Sequence, residues 1–97
     1  MTREFVLQRD MGCTRAEFFR TLPGATRHVP LEIAGDTVTL SLQHGRVEID
    51  LAERPLRRIG SFALPVLGVT FRFTGVDDAA RDDFLAWFDL YTRRGGG

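Results

Sequence analysis

Three short runs in the middle of the chain constrain its fold most. Val29, Leu31 and Ile33 alternate with other residues, as do Val38, Leu40 and Leu42, and again Val47, Ile49 and Leu51. A period of two is the mark of a strand with one face buried. Gly35-Asp36 and His44-Gly45 separate the runs and read as two-residue hairpin turns, where Gly supplies the positive φ of the primed turns. These turns imply a register. Gly35-Asp36 sets Ile33 opposite Val38, Leu31 opposite Leu40 and Val29 opposite Leu42. His44-Gly45 sets Leu42 opposite Val47, Leu40 opposite Ile49 and Val38 opposite Leu51. Both registers gather the apolar side chains on one face, and a one-residue slip would turn a whole strand's set to water. The opposite face carries Thr37, Thr39, Ser41, Arg46, Glu48 and Asp50 and is expected to be wet. Pro30 lacks an N–H, which puts its strand at the sheet edge.

The flanks supply the remaining elements. Phe5 and Leu7 alternate within residues 3–8, a first strand that Asp10-Met11-Gly12 is expected to end. Thr14-Arg15-Ala16-Glu17 is a capping box that opens a short helix with Phe18, Phe19 and Leu22 inward, and Pro23-Gly24 is expected to close it. Residues 52–61 read as a connection. An apolar run over 62–73 follows, with Val69, Phe71 and Phe73 inward, and Thr74-Gly75 turns the chain. A last helix is expected from about Asp77 to Arg93, with Asp77, Asp78, Asp82 and Asp83 early and Arg93 and Arg94 late, as the helix dipole prefers. Phe84, Leu85, Trp87, Phe88 and Tyr91 form its apolar stripe, and Gly95 reads as the C′ residue of a flexible tail over 93–97.

The resulting order, β-α-β-β-β-β-α, describes one α+β domain over 1–97, an antiparallel sheet with both helices on one face. It is similar in element order to the TATA-binding-protein-like fold. That resemblance implies the sheet order 1-5-4-3-2. It rests on no shared motif and so implies nothing about function.

Composition excludes several classes. The chain has 97 residues, with 13 basic and 13 acidic side chains. All of the basic ones are Arg. The joint absence of Lys and Asn follows from a codon bias away from adenine and needs no binding site. Balanced charge argues against a nucleic-acid partner. No stretch of about 18 apolar residues is present, so no membrane span is expected, and Met1–Asp10 lacks the apolar core of a signal peptide. The single Cys cannot form an internal disulfide, and the cytoplasm is the default compartment. A Ser-His-Asp order with a nucleophile elbow, a phosphate loop and paired zinc cysteines are all missing. No catalytic constellation, cofactor or metal is therefore expected.

Four features could carry function. Cys13 precedes a helix start, where the dipole favours a thiolate. Asp10-Met11-Gly12-Cys13 after a first strand is similar to the small bacterial sulfur carriers, with Thr14 where that family has Pro. This implies a thiol-dependent carrier or redox role as one alternative. His28 and His44, with Glu48 or Asp50, could hold a divalent ion. Arg54, Arg57 and Arg58, joined by Arg46 and Arg72, could hold a phosphate ligand, an acidic partner or, weakly, nucleic acid. The uncharged run Ile59–Leu67 is the strongest. It is too apolar on both faces to be covered by two short helices. An exposed apolar patch marks an interface, here Ile59, Phe62, Leu64, Val66 and Leu67. The leading expectation is a small soluble binding module that forms a homodimer or meets a protein partner through this run, its small-molecule ligand, if any, unspecified.

Overall fold

The computed structural model describes residues 3–96, with side chains through Arg93. The elements are β1 (Glu4–Met11), α1 (Arg15–Ala25), β2 (Glu32–Ala34), β3 (Thr37–Leu42), β4 (Gly45–Ile59), β5 (Phe62–Thr74) and α2 (Asp78–Gly96). The sheet is antiparallel in the order β1-β5-β4-β3-β2, the order implied by the resemblance in element order. Val38, Leu40, Val47, Ile49, Leu51, Leu67, Val69, Phe71 and Phe73 are buried on one face beneath Phe18 and Leu22 of α1 and Phe84 and Phe88 of α2. Aromatic edges interlock there. Phe88 meets Phe71 edge-on at 5.0 Å between centroids, and Phe84 meets Phe73 at 5.7 Å, the geometry that ring quadrupoles favour.

Local signals explain the helix starts. Thr14 Oγ1 accepts from the Glu17 N–H, and Glu17 accepts from the Thr14 N–H at 2.8 Å, so the capping box is complete. Donation to the Glu17 carboxyl from the Thr14 backbone N–H, and then from the Thr14 hydroxyl, holds it below its usual value, with Arg20 helping. Asp77 caps α2 by accepting from the Ala80 N–H at 2.8 Å.

Five boundaries differ from the sequence reading, each for a physical reason. β1 continues to Met11, which pairs with Leu67, because a long β5 offers it a partner. α1 runs through Pro23 to Ala25. Its last turn is held from outside by Trp87 Nε1, which donates to the Gly24 carbonyl at 2.9 Å, and from within by the Thr26 hydroxyl, which donates to the Leu22 carbonyl at 2.9 Å. Val29 and Leu31 pack on the core without joining a ladder, and β2 keeps only Glu32–Ala34. Arg27 and His28 adopt φ of 55° and 59° and turn the chain there, and Pro30 offers no donor. Gln43-His44, not His44-Gly45, is the β3–β4 turn, so Leu40 pairs with Val47 and Val38 with Ile49. The expected register was two residues off. A slip of two leaves every side chain on its own face, so facing alone cannot detect it. Gly45 is needed as a paired residue, since a Cβ there would strike the Thr74 carbonyl and Gly75. Finally, α2 stays helical through Gly96, past the expected C′ residue Gly95. Gly97 lies outside the described residues.

The largest difference concerns residues 52–61, expected as a loop. They are the ends of two long strands. Gly60-Ser61 joins Ile59 to Phe62 with φ of 58° at Gly60, the positive φ that a type II′ turn wants at its first central residue. A bulge between Arg54 and Arg57 takes up Pro55 and Leu56. β3 pairs only as far as Asp50 and β1 only as far as Leu67. The hairpin therefore projects as a two-stranded arm from a body elongated to 49 × 24 × 24 Å.

Gly24 tests the helix contact. A Cβ at Gly24 would collide with the Tyr91 ring, while one at Gly12 meets open space. Gly24→Ala is expected to cost about 1–3 kcal/mol through overpacking, despite the better helix propensity of Ala. Gly12→Ala should stay within about 0.5 kcal/mol of the parent. Urea unfolding of both variants checks the contrast.

Candidate functional site

Most arginines are satisfied inside the fold. Arg3 pairs with Asp78, Arg9 with Asp89, Arg15 with Asp36, Arg27 with Asp83, and Arg81 with Asp78 and Asp82. On the open face of the sheet Arg46 pairs with Glu48 at 3.4 Å, and Arg72 lies 3.7 Å from Asp50 and 3.8 Å from Glu4. Arg54 lies across Gly68, where a Cβ would strike its guanidinium, and reaches Asp10 at 3.7 Å. Among the described residues, Arg20, Arg57, Arg58 and Arg93 have no carboxylate within ion-pair distance. The five arginines expected as one ligand cluster are thus not brought together. Arg46, opposite Thr74, and Arg72, opposite Glu48, lie on neighbouring strands of the sheet, Arg54 sits at the base of the arm, and of the five only Arg57 and Arg58 stand free, near its tip.

The arm carries the most exposed apolar surface. Phe62 is 70% exposed, Leu56 53%, Ile59 50% and Leu64 45%. Residues opposite each other in an antiparallel pair share a face. Ile59 with Phe62, Arg57 with Leu64 and Arg54 with Val66 therefore form one surface, continuous through Gly68 and Thr70 with the open face of the sheet. Val66 is half-buried. Leu67, expected among the exposed residues, is buried in the core, because it stands on the other parity and faces the helices. The arm was legible in principle. Gly-Ser between two alternating runs is a hairpin signal, but the unbroken apolar run after it hid the alternation.

Cys13 lines a groove of about 620 Å³ between the end of β1, α1 and the end of α2, with Arg9, Asp10, Glu17, Arg20, Asp89 and Arg93 around it. Burial, and then the Glu17 carboxylate, push its thiol above the ordinary value. A thiolate nucleophile needs the opposite direction. Burial first, and the capping Glu17 second, push against the thiolate that the sequence position suggested. A second cavity of about 230 Å³ lies between α1 and α2 beside Trp87, and Arg27 stacks on that indole at 4.8 Å while pairing with Asp83. His44 sits in the β3–β4 turn and His28 in the segment after α1, which does not pair with Gln43. Among the described residues no group of three His, Cys, Asp or Glu is arranged to hold a metal ion, and no helix is long and apolar enough to cross a membrane.

The raised thiol pKa has a sign. Between the unfolded value near 8.5 and the higher folded value, the native state binds more protons than the unfolded chain, so stability falls as pH rises through that window. Cys13→Ala should flatten this alkaline loss in pH-dependent unfolding. Alkylation of Cys13 should show its inflection above that of a free cysteine. An inflection below it would restore the thiolate reading.

No family model matches this chain, no curated protein matches its sequence, and no solved structure matches its fold, so the site is argued from its own residues.

Proposed function

We propose that this protein is a binding module that acts without a catalytic centre and associates with a second copy of itself through the hairpin arm. The observation that carries this reading is the stripe of Ile59, Phe62, Leu64 and Val66 on one face of an element that projects beyond the core. Exposed apolar side chains gathered on one surface are a cost in a monomer and a gain in an interface.

The chemistry of the arm favours a face-to-face contact. Pro55 and Pro65 stand in its two strands, and proline in an edge strand or bulge blunts edge-to-edge pairing. A partner strand is therefore disfavoured, and a partner surface is preferred. Twofold pairing is the commonest way for one surface to meet itself. Arg57, opposite Leu64, shares the face of the stripe, and the open sheet face of a second copy presents Glu48 and Asp50 to it. Arg58, opposite Ala63, and Glu53, opposite Leu67, stand on the other face of the arm.

Size sets how the arms cross. Seven residues at about 3.3 Å each and two strands of about 5 Å give roughly 250 Å² per arm face. A standard interface needs about 800 Å² per partner. A stable dimer therefore requires each arm to extend over the partner's open sheet face, not merely to touch the other tip.

Sedimentation velocity over a range of about 10–500 μM, which brackets dissociation constants in the micromolar range, tests the proposal. The expected result is a concentration-dependent shift from monomer to dimer. Phe62→Asp with Leu64→Asp should abolish it while leaving the free energy of unfolding within about 0.5 kcal/mol of the parent, because both residues are exposed. A parent chain that stays monomeric across the range overturns the reading.

A further inference from the structure

The groove beside Cys13 has a charge pattern that pairing within the chain does not exhaust. Its acids are engaged. Asp89 holds the Arg9 guanidinium, Asp10 faces Arg54, and Glu17 is spent on the Thr14 N–H. Its bases are not. Arg20 projects from α1 and Arg93 from α2, both exposed, and neither has a carboxylate within ion-pair distance among the described residues. Arg20 touches the Glu17 field only weakly, as the smallest of the influences on that carboxyl. Cys13 keeps its proton at neutral pH and adds no negative charge. The groove thus holds two guanidinium groups with no ion-pair partner among the described residues, one on α1 and one on α2. Its volume of about 620 Å³ falls within the range of small-molecule sites.

We propose that this groove binds a small multivalent oxyanion, a polycarboxylate or a phosphate-bearing metabolite, that bridges Arg20 of α1 and Arg93 of α2. The planar guanidinium fork meets two oxygens of a carboxylate or phosphate at once, and such charge-assisted pairs are about twice as strong as neutral hydrogen bonds. Two walls are needed because a single exposed arginine gives little affinity. An anion spanning the walls would also tie the end of α2 to α1 and cover Cys13. The site is separate from the arm and stands whether or not the chain dimerises.

Citrate and inorganic phosphate serve as the probes, each titrated with sodium chloride adjusted to hold ionic strength constant. Two readouts are followed, the thermal midpoint and the rate of Cys13 alkylation by iodoacetamide. At least one probe should raise the midpoint saturably and slow alkylation about fivefold, as expected for a ligand that occludes the groove. Citrate alone would identify carboxylate chemistry, phosphate alone phosphoryl chemistry, and both the shared oxyanion. Arg20→Gln with Arg93→Gln should weaken binding about tenfold or more, in line with the loss of charged hydrogen bonds. Arg57→Gln with Arg58→Gln should leave it unchanged. No saturable effect from either probe overturns the proposal, as does an effect that persists in the Arg20/Arg93 variant or weakens equally in the Arg57/Arg58 variant.

Discussion

Burial of one sheet face under two helices is the constraint on which the rest depends. Phe71 and Phe73 must be covered, and Phe84, Phe88 and Phe18 are the side chains that cover them. The lengths do not match. α1 has 11 residues and α2 has 19, so at 1.5 Å per residue they span about 17 and 28 Å. β4 has 15 residues, which at about 3.3 Å each reach roughly 50 Å. The strands must outrun their cover. The open face and the projecting arm are both consequences of this shortfall.

The arginines acquire a structural role from the same geometry. Arg81 lies 4.1 Å over Phe5, Arg15 4.7 Å over Phe19 and Arg27 4.8 Å over Trp87, so their stems and guanidinium planes shield aromatic edges that two helices leave open. Most of these groups also meet a carboxylate, and such exposed pairs add about 0–1 kcal/mol each. Their value here is chiefly diagnostic. Once they are set aside, the unpaired guanidiniums among the described residues fall in two places, the arm tip and the groove.

Those places differ in how far the sequence revealed them. Cys13, Arg57, Arg58 and the Ile59–Leu67 run were visible as candidates. Arg20 and Arg93 were not: Arg20 carries no local signal of its own, and Arg93 was read as a dipole partner. Only the packing of α1 on α2 brings residues 73 positions apart in the chain, 93 against 20, to one groove. The expected thiolate at Cys13 depended on a helix start that was read correctly. The direction of its shift depended on burial and on Glu17, which a one-dimensional reading cannot weigh.

The amino-acid sequence by itself determined most of the elements and which side of each strand faces the core. Those properties follow from period-two alternation, capping residues and turn glycines, all local. Tertiary structure decided the β3–β4 register, the continuation of α1 through Pro23 and the conversion of a presumed loop into an arm. For the register and the helix end the deciding contact comes from far along the chain. Thr74 and Gly75 close against Gly45, and Trp87 holds the Gly24 carbonyl. The arm is instead a local pairing of residues 52–59 with β5, hidden by the unbroken apolar run after its turn. A slip of two residues and a helix end leave the local pattern unchanged, so only long-range packing distinguishes them.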